Sequence, residues 1–387
     1  MNDSKWTVMV FMGAATIAGN VPLIDAADAD IAEMESVGSG GRLNIFVQVH
    51  GKTAIPQRSH IGIQPMRDVP RGQDDPTHGR ALESFIRWAL TKSRHRIPND
   101  YSMLVLWGHA YDFAFGRERT RSGTIDALDF AELSKLLERL QQRFGPAKLD
   151  VLGFDACDLA TVEMACQLEP FANYLLGSEI GIPIPGWPYD RILDRLRNPQ
   201  RDLMSPPDLG SYVVRRFCES YVAKDPVSLS LLDLSRATDL FAHAEALADT
   251  LASAIVDSDA RRRIARLFWR SQTGEGRPYV DVADLCLTLV RESGNAFVEE
   301  AAKRLGDFLI SPQLSLDDPS ANGARQPFIV DCGRNAGNTA RLNGVSIYAP
   351  HVALSNDFDS VRHLYQNFDF VQDTRWSELV HALARLR

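Results

Sequence analysis

The sequence predicts an α/β protein, with a mostly parallel central sheet covered by helices on both faces and a helix-rich C-terminal region. Three observations carry that prediction. The runs 104–107 and 151–154 are short and continuously apolar, the pattern of strands buried on both faces. Strand-like and helix-like stretches alternate over the first 155 residues, the order that a helix-covered sheet produces. From about residue 235 the periodicity becomes largely helical.

Taken in order, residues 7–12 read as a first strand. Residues 24–37 read as a helix with apolar positions at Ile24, Ala27, Ile31 and Met34, and 43–49 as a second buried strand. Between 50 and 79 the chain is polar and carries Pro56, Pro65, Pro70 and Pro76, which suggests a β-ribbon or loop excursion. An amphipathic helix over 80–93 ends before Ile97-Pro98-Asn99-Asp100 and leads into the strand that delivers His109. The charged stretch 116–123 reads as a solvated loop before a helix over 128–144. Residues 227–233 and 344–348 look like further strands of the same sheet, and helical patterns fill 237–256, 260–269, 280–290 and 295–309. This divides the chain into a core, 1–234, and a helix-rich region, 235–387, that returns the strand 344–348 to the core sheet. The turn-rich stretch 331–337 receives no assignment.

Composition narrows the class. The chain has 387 residues, 45% of them hydrophobic and 24% charged, ordinary values for a soluble globular protein. A net charge of −8 argues against nonspecific nucleic-acid binding and suits a cationic peptide partner. Five cysteines (Cys157, Cys166, Cys218, Cys286 and Cys332) show neither metal-type spacing nor disulfide density, which fits a reducing compartment. A strand follows the first five residues directly, leaving no room for a signal peptide, and no apolar run is long enough to cross a bilayer. The expectation is a cytoplasmic protein with no membrane partner.

The two apolar runs carry the candidate chemistry. One ends in Gly108-His109 and the other leads to Asp155-Ala156-Cys157. If they are neighbouring parallel strands, their carboxyl ends lie side by side where open α/β sheets bind ligands, and a thiol can meet an imidazole despite 48 positions of separation. Gly108 and Gly153 are unusual inside strands unless backbone must approach something closely. The segment 160–165 reads as a helix starting at once, which would place the thiol near a helix N-terminus, where the dipole favours the thiolate. Against this, a lone Cys at a strand end is commonly an inert core residue.

A resemblance adds to the reading. Trp6-Thr7-Val8-Met9-Val10-Phe11-Met12-Gly13, Leu106-Trp107-Gly108-His109, Gly153-Phe154-Asp155-Ala156-Cys157, Gly177-Ser178-Glu179 and Gly186-Trp187 together resemble the clostripain family of cysteine peptidases, which have a caspase-like fold. Val227 to Leu234, Tyr279 to Asp284 and Gly344 to Pro350 resemble its downstream segments. The resemblance implies a cysteine endopeptidase with Cys157 as nucleophile and His109 as catalytic histidine. It also implies Asp155 as part of a pocket for Arg or Lys before the scissile bond. Two departures stand out. The family's Gly-Trp-Asp-Tyr is Gly186-Trp187-Pro188-Tyr189 here, so a second acidic wall is missing unless Asp190 or Glu179 supplies it. The family's glycine after the histidine is Ala110, whose N–H would join that of Cys157 in holding the oxyanion, at a cost of about 1 kcal/mol if the position needs φ > 0.

Trp187 among the prolines of 180–189 reads either as a rigid wall of the cleft or as a packing anchor. Family members are commonly processed between the histidine and the cysteine, which makes Arg119 and Arg121 candidate processing sites, cut by the enzyme itself or by an upstream protease. No cofactor is required. Some members use calcium, but no twelve-residue loop with alternating oxygen ligands is present, and only an irregular site from Asp28, Asp30, Asp74 or Asp75 stays open. The rival reading is an inactive binding scaffold of the same fold. Protein or peptide substrates with basic residues are the expected partners, and a cytoplasmic place suggests a role in stress or defence signalling.

Overall fold

A computed structural model describes residues 5–14, 23–51, 55–70, 78–93, 100–111, 113–119, 125–145, 147–198, 202–222, 224–271, 273, 278–310, 327–335, 339–349 and 362–384. The chain begins with β1 (Trp6–Gly13), α1 (Ile24–Val37) and β2 (Leu43–His50). It turns back through β3 (Gln57–His60) and β4 (Gln64–Asp68) and continues with α2 (His78–Ser93) into β5 (Tyr101–Gly108). A small antiparallel sheet of β6 (Ala110–Tyr111), β7 (Ala114–Arg119) and β8 (Ile125–Asp129) precedes α3 (Phe130–Phe144), β9 (Leu149–Asp155), α4 (Val162–Leu168) and β10 (Ala172–Gly177). Next come α5 (Tyr189–Arg197), α6 (Pro206–Ser220), β11 (Ser228–Asp233), α7 (Ala237–Ala254) and α8 (Ser258–Arg270). The chain then adds β12 (Tyr279–Asp281), α9 (Val282–Glu292), α10 (Ala296–Ile310), β13 (Ile329–Arg334) and β14 (Ser346–Tyr348). Among the described residues no helix is long and apolar enough to cross a membrane.

The main sheet has nine strands in the order β13-β11-β10-β9-β5-β1-β2-β3-β4. Its five central strands are parallel, and two antiparallel strands extend each side. From β1 the chain steps one way to β2 and the other way through β5, β9 and β10. The order therefore reverses between β1 and β5, the crevice where such sheets place ligands at the carboxyl ends of the strands. The two-residue period sorts the side chains: Trp6, Val8, Val10 and Met12 join a core with α1, α5 and α6, while Met9 and Phe11 join one with α2, α3 and α4. The helices beyond residue 236 share this second core, since Leu240, Leu247, Leu285 and Leu305 belong to the same apolar cluster as Leu104, Phe154 and Leu175.

The late strand behaves differently from the expectation. Residues 344–348 do contain a strand, β14, but it pairs antiparallel with β12 and does not enter the main sheet. The edge beside β11 belongs to β13, drawn from the stretch the sequence left unassigned. The reason is visible in the other edge of β14. The N–H groups of Gly344, Ser346 and Tyr348 donate to Glu179 Oε2 (2.7 Å), the Ala160 carbonyl (2.9 Å) and Glu163 Oε1 (2.9 Å). Two buried carboxyl groups and one carbonyl thus replace a neighbouring strand's acceptors, and a strand so satisfied has no need of the sheet.

The expected loop 116–123 also differs, because its first part is β7, paired antiparallel with β8. Fully buried Phe115 anchors this hairpin beside Gly13 at the end of β1. The helix expected from 128 begins at Phe130, where Asp129 caps it by accepting the Glu132 N–H at 2.7 Å.

Candidate active site

The register of β5 and β9 builds the site. They are parallel neighbours with Trp107 opposite Asp155, so His109 and Cys157 each stand two residues beyond one matched pair, at the same edge. Adjacent strands lie about 4.8 Å apart. Both residues line a single cavity of about 40 Å³ together with Trp107, Asp155, Ile182 and Gly186. Two glycines make the arrangement possible. Gly108 has φ +144°, and a methyl group there would stand 2.8 Å from the Gly13 carbonyl oxygen at the end of β1. A methyl group on Gly153 would stand 2.7 Å from the Trp187 ring, which closes the cleft from behind.

Cys157 is half-buried, and the Ile182 N–H donates to its Sγ at 3.4 Å. The loop that carries it is tied down on the far side: the Asp158 N–H donates to the Ile180 carbonyl (3.2 Å) and the Ala160 N–H to that of Ser178 (3.0 Å). Asp158 adopts φ +60°, a left-handed conformation that aspartate tolerates better than most residues and that turns the chain sharply after the thiol. The expected helix-dipole effect does not reach the thiol. Helix α4 begins only at Val162, with Thr161 as its cap, and has seven residues, so the thiol lies outside its first turn. The other cysteines are poorly placed for nucleophilic work. Burial pushes the Cys218 and Cys332 thiols up to about 12 and raises those of Cys166 and Cys286 as well.

Ala110 does not carry the strain feared for it. Positive φ falls on Gly108, before the histidine, and Ala110 is not among the left-handed residues. Ala110 faces Phe115 in the β6–β7 hairpin, and the Gly116 N–H donates to the His109 carbonyl at 2.9 Å. That makes Ala110 and Phe115 a non-hydrogen-bonded pair, so the Ala110 N–H points away from β7.

Asp155 is 4% exposed. Its Oδ2 accepts the Trp187 N–H (3.0 Å) and the Tyr189 hydroxyl (3.1 Å), while its Oδ1 has no hydrogen-bond partner. Burial raises its pKa to about 7, the two hydrogen bonds pull it down, and Glu33 pushes it up. Behind it, the Trp107 indole N–H donates to Asp30 Oδ2 at 2.6 Å. Burial, and secondarily the charge of Asp155, lifts Asp30 to about 9. Asp30, Glu33 and Asp155 therefore form an acid cluster under one wall of the cleft. From sequence alone Asp30 stands out only as a calcium candidate. The one available signal was Trp107, an indole donor one position before the Gly-His pair that had to find an acceptor.

The other expected residues are spread more widely. Trp187 is buried behind Asp155 and meets it through its backbone, as a packing anchor. Glu179 is fully buried and turned away from the cavity, with Oε2 taken by the Gly344 N–H and burial and neighbouring Asp281 holding its pKa well up. It supplies no wall. Asp190 sits in the first turn of α5, where its Oδ1 accepts the Arg191 N–H (2.7 Å), and it does not line the cavity either. The backbone of Arg119 ends β7; Arg121 lies outside the described residues. Asp28 and Asp30 lie on α1, whereas Asp74 and Asp75 fall outside the described residues. Among the described residues no group of three or more His, Cys, Asp or Glu is placed to hold a metal ion.

Comparison with known proteins places this geometry. The fold matches an inactive zymogen C11 protease from Parabacteroides distasonis with a TM-score of 0.62 and 15% identity, covering 96% of this chain and 98% of that one. It also matches a secreted C11 cysteine protease from Bacteroides thetaiotaomicron, solved with an irreversible peptide inhibitor, with a TM-score of 0.60 and 16% identity over 95% and 99% of the two chains. Clostripain from Hathewaya histolytica is 25% identical over 246 residues, 52% of this chain. The match spans 44% of that relative's length. The family model described as the clostripain family matches residues 17–381, nearly the entire sequence, and the chain belongs to the clostripain family.

Proposed function

We propose that the protein is a cysteine endopeptidase that cuts after basic residues, Arg before Lys. The observation that carries this reading is the pairing of Trp107 with Asp155, which sends His109 and Cys157 off one sheet edge into one cavity beside a buried carboxyl group with a spare oxygen. In the proposed reaction the Cys157 thiolate attacks the carbonyl carbon and the carbonyl electron pair moves onto oxygen. The N–H groups of Cys157 and Ala110 hold that oxyanion. His109 gives its proton to the leaving amine as the C–N bond breaks, leaving a thioester. It then takes a proton from water, whose oxygen attacks the thioester and releases the acid. The Asp155 carboxylate pairs with the guanidinium before the cut, as carboxylates do with arginine.

The cavity of about 40 Å³ has room for about three waters, less than an arginine side chain needs, so the cleft must widen before it works. Cleavage at Arg119 or Arg121 suits that need, because β7 and β8 pair beside Gly13 at the same sheet edge and a cut between them would remove the chain link that joins the two strands. The cut is made by the enzyme itself or by an upstream protease. A reducing, cytoplasmic setting keeps such a thiol active.

The test is a panel of fluorogenic peptides that differ only in the residue before the cut, run on the intact and the processed chain. Arg and Lys peptides should turn over and Asp peptides should not, and Cys157→Ala should abolish turnover and self-cleavage. Equal turnover of Arg and Asp peptides would end the specificity proposal. Tight binding of basic peptides without turnover, unchanged by Cys157→Ala, would favour an inactive scaffold.

A further inference from the structure

A concentration of positive charge lies away from the acid-lined cleft. An open trough of about 940 Å³ runs along α2 and α3, lined by Arg58, Arg80, Arg87, Lys92, Arg139 and Arg143 with only Glu83 and Glu132 as counter-charges. Six cations meet two carboxylates on a chain whose net charge is −8. Glu83 is already committed, since its Oε2 accepts from Arg139 Nε (3.0 Å) and Nη2 (2.9 Å). Among the described residues Arg87, Lys92 and Arg143 enter no ion pair. Apolar surface is interleaved with this charge: half-buried Trp88, with the Arg58 guanidinium 4.6 Å from its ring centroid, and Phe144, which is 38% exposed.

We propose that this trough is a docking surface for an extended acidic polypeptide segment. Helix α2 has 16 residues and is about 24 Å long, which matches about seven residues of extended chain at about 3.3 Å each. Discrete carboxylates on such a segment can be spaced around Glu83 and Glu132, whereas the continuous charge of a nucleic-acid backbone would be driven against them. The concave shape favours a strand of peptide over a flat lipid surface, and Trp88 and Phe144 accept the apolar residues between the acids. Because α2 feeds into the start of β5, its first turn lies toward the catalytic edge, and a bound segment would run toward His109.

The test uses the full chain carrying Cys157→Ala and a fluorescein-labelled peptide of seven residues, Asp and Glu with one Phe, lacking Arg and Lys, so that the cleft offers it no anchor. Anisotropy should show saturable binding at about 50 mM salt that weakens about tenfold at about 300 mM. The double substitution Arg87→Glu and Arg143→Glu should weaken it about tenfold or more. With Cys157 restored, the same double variant should turn over a short Arg peptide as the parent does, which separates docking from the peptidase reading. Equal binding of the Asn/Gln counterpart peptide, or no effect of the double variant, overturns the proposal. Tighter binding of an RNA oligonucleotide or of anionic vesicles than of the acidic peptide overturns the choice of occupant.

Discussion

Asp155 and Glu179 begin from almost the same place. Each stands at the carboxyl end of a central strand, β9 and β10, and each is buried with its pKa raised by desolvation. They end in different surroundings because of the side of the sheet each faces. Each spends one oxygen on a backbone N–H and leaves the other without a hydrogen-bond partner, but Asp155 lines the cavity beside His109 and Cys157, whereas Glu179 turns toward Gly344 and Asp281. On the proposed reading, an acid near the motif can serve recognition only when its strand phase turns it toward the cavity. Otherwise it is a fastener.

The largest effect expected from this contrast is on specificity. Asp155→Asn should cost about 3 kcal/mol of transition-state binding for an Arg peptide, roughly 10²-fold in kcat/KM, while leaving unfolding in urea little changed. On the proposed reading the carboxyl must lose its proton to pair with guanidinium, and its pKa is about 7. The kcat/KM for Arg peptides should therefore rise as pH passes through about 7, and a peptide with norleucine in place of Arg should lack that rise. Parallel profiles for the two peptides would break the assignment.

The second effect is on stability and belongs to the other acid. Glu179→Ala strands the buried Gly344 N–H and should cost about 2–3 kcal/mol of unfolding free energy. Glu179→Gln should be far milder, because an amide keeps an oxygen that can accept the Gly344 N–H, and burial and Asp281 favour the neutral carboxyl form that it resembles. If both variants unfold alike, the hydrogen bond from the Gly344 N–H to Glu179 is not what holds β14. Glu163, the other fastener of β14, gives the sign of the pH dependence. Burial lifts it from 4.5 to about 7, so the folded chain holds a proton that the unfolded chain releases. Its contribution is full below about pH 4.5 and is lost as pH rises through about 7.

This contrast also marks where the sequence was legible. Helix α1 was readable to its end residues because Ala27, Ile31 and Met34 repeat at helical spacing, and β5 and β9 were readable because strands buried on both faces leave unbroken apolar runs. From those two strands it followed that His109 and Cys157 would come to one sheet edge, where they line one cavity. What stayed hidden depends on partners far along the chain. The strand β13, with Asp331, Cys332, Gly333 and Arg334, has no alternation of its own and exists because β11 offers it an edge. In the same way Asp30 looks like any acid on a helix until Trp107, 77 residues later, brings it beneath the cleft.

The smallest effect tests that hidden layer. Glu33 is half-buried, accepts the Asp190 N–H at 3.4 Å, and its charge helps raise the Asp155 pKa. Glu33→Gln removes a negative charge without changing shape, so the Asp155 carboxylate should form more readily and the rise in kcat/KM for Arg peptides should move to lower pH. Asp30 should not behave this way, because at a pKa of about 9 it is neutral while Asp155 titrates, and Asp30→Asn should leave the midpoint where it was. A midpoint that follows Asp30→Asn but ignores Glu33→Gln would mean that the titrating group under the cleft is Asp30, reached through Trp107, and that Asp155 serves only to hold the loop at Trp187 and Tyr189.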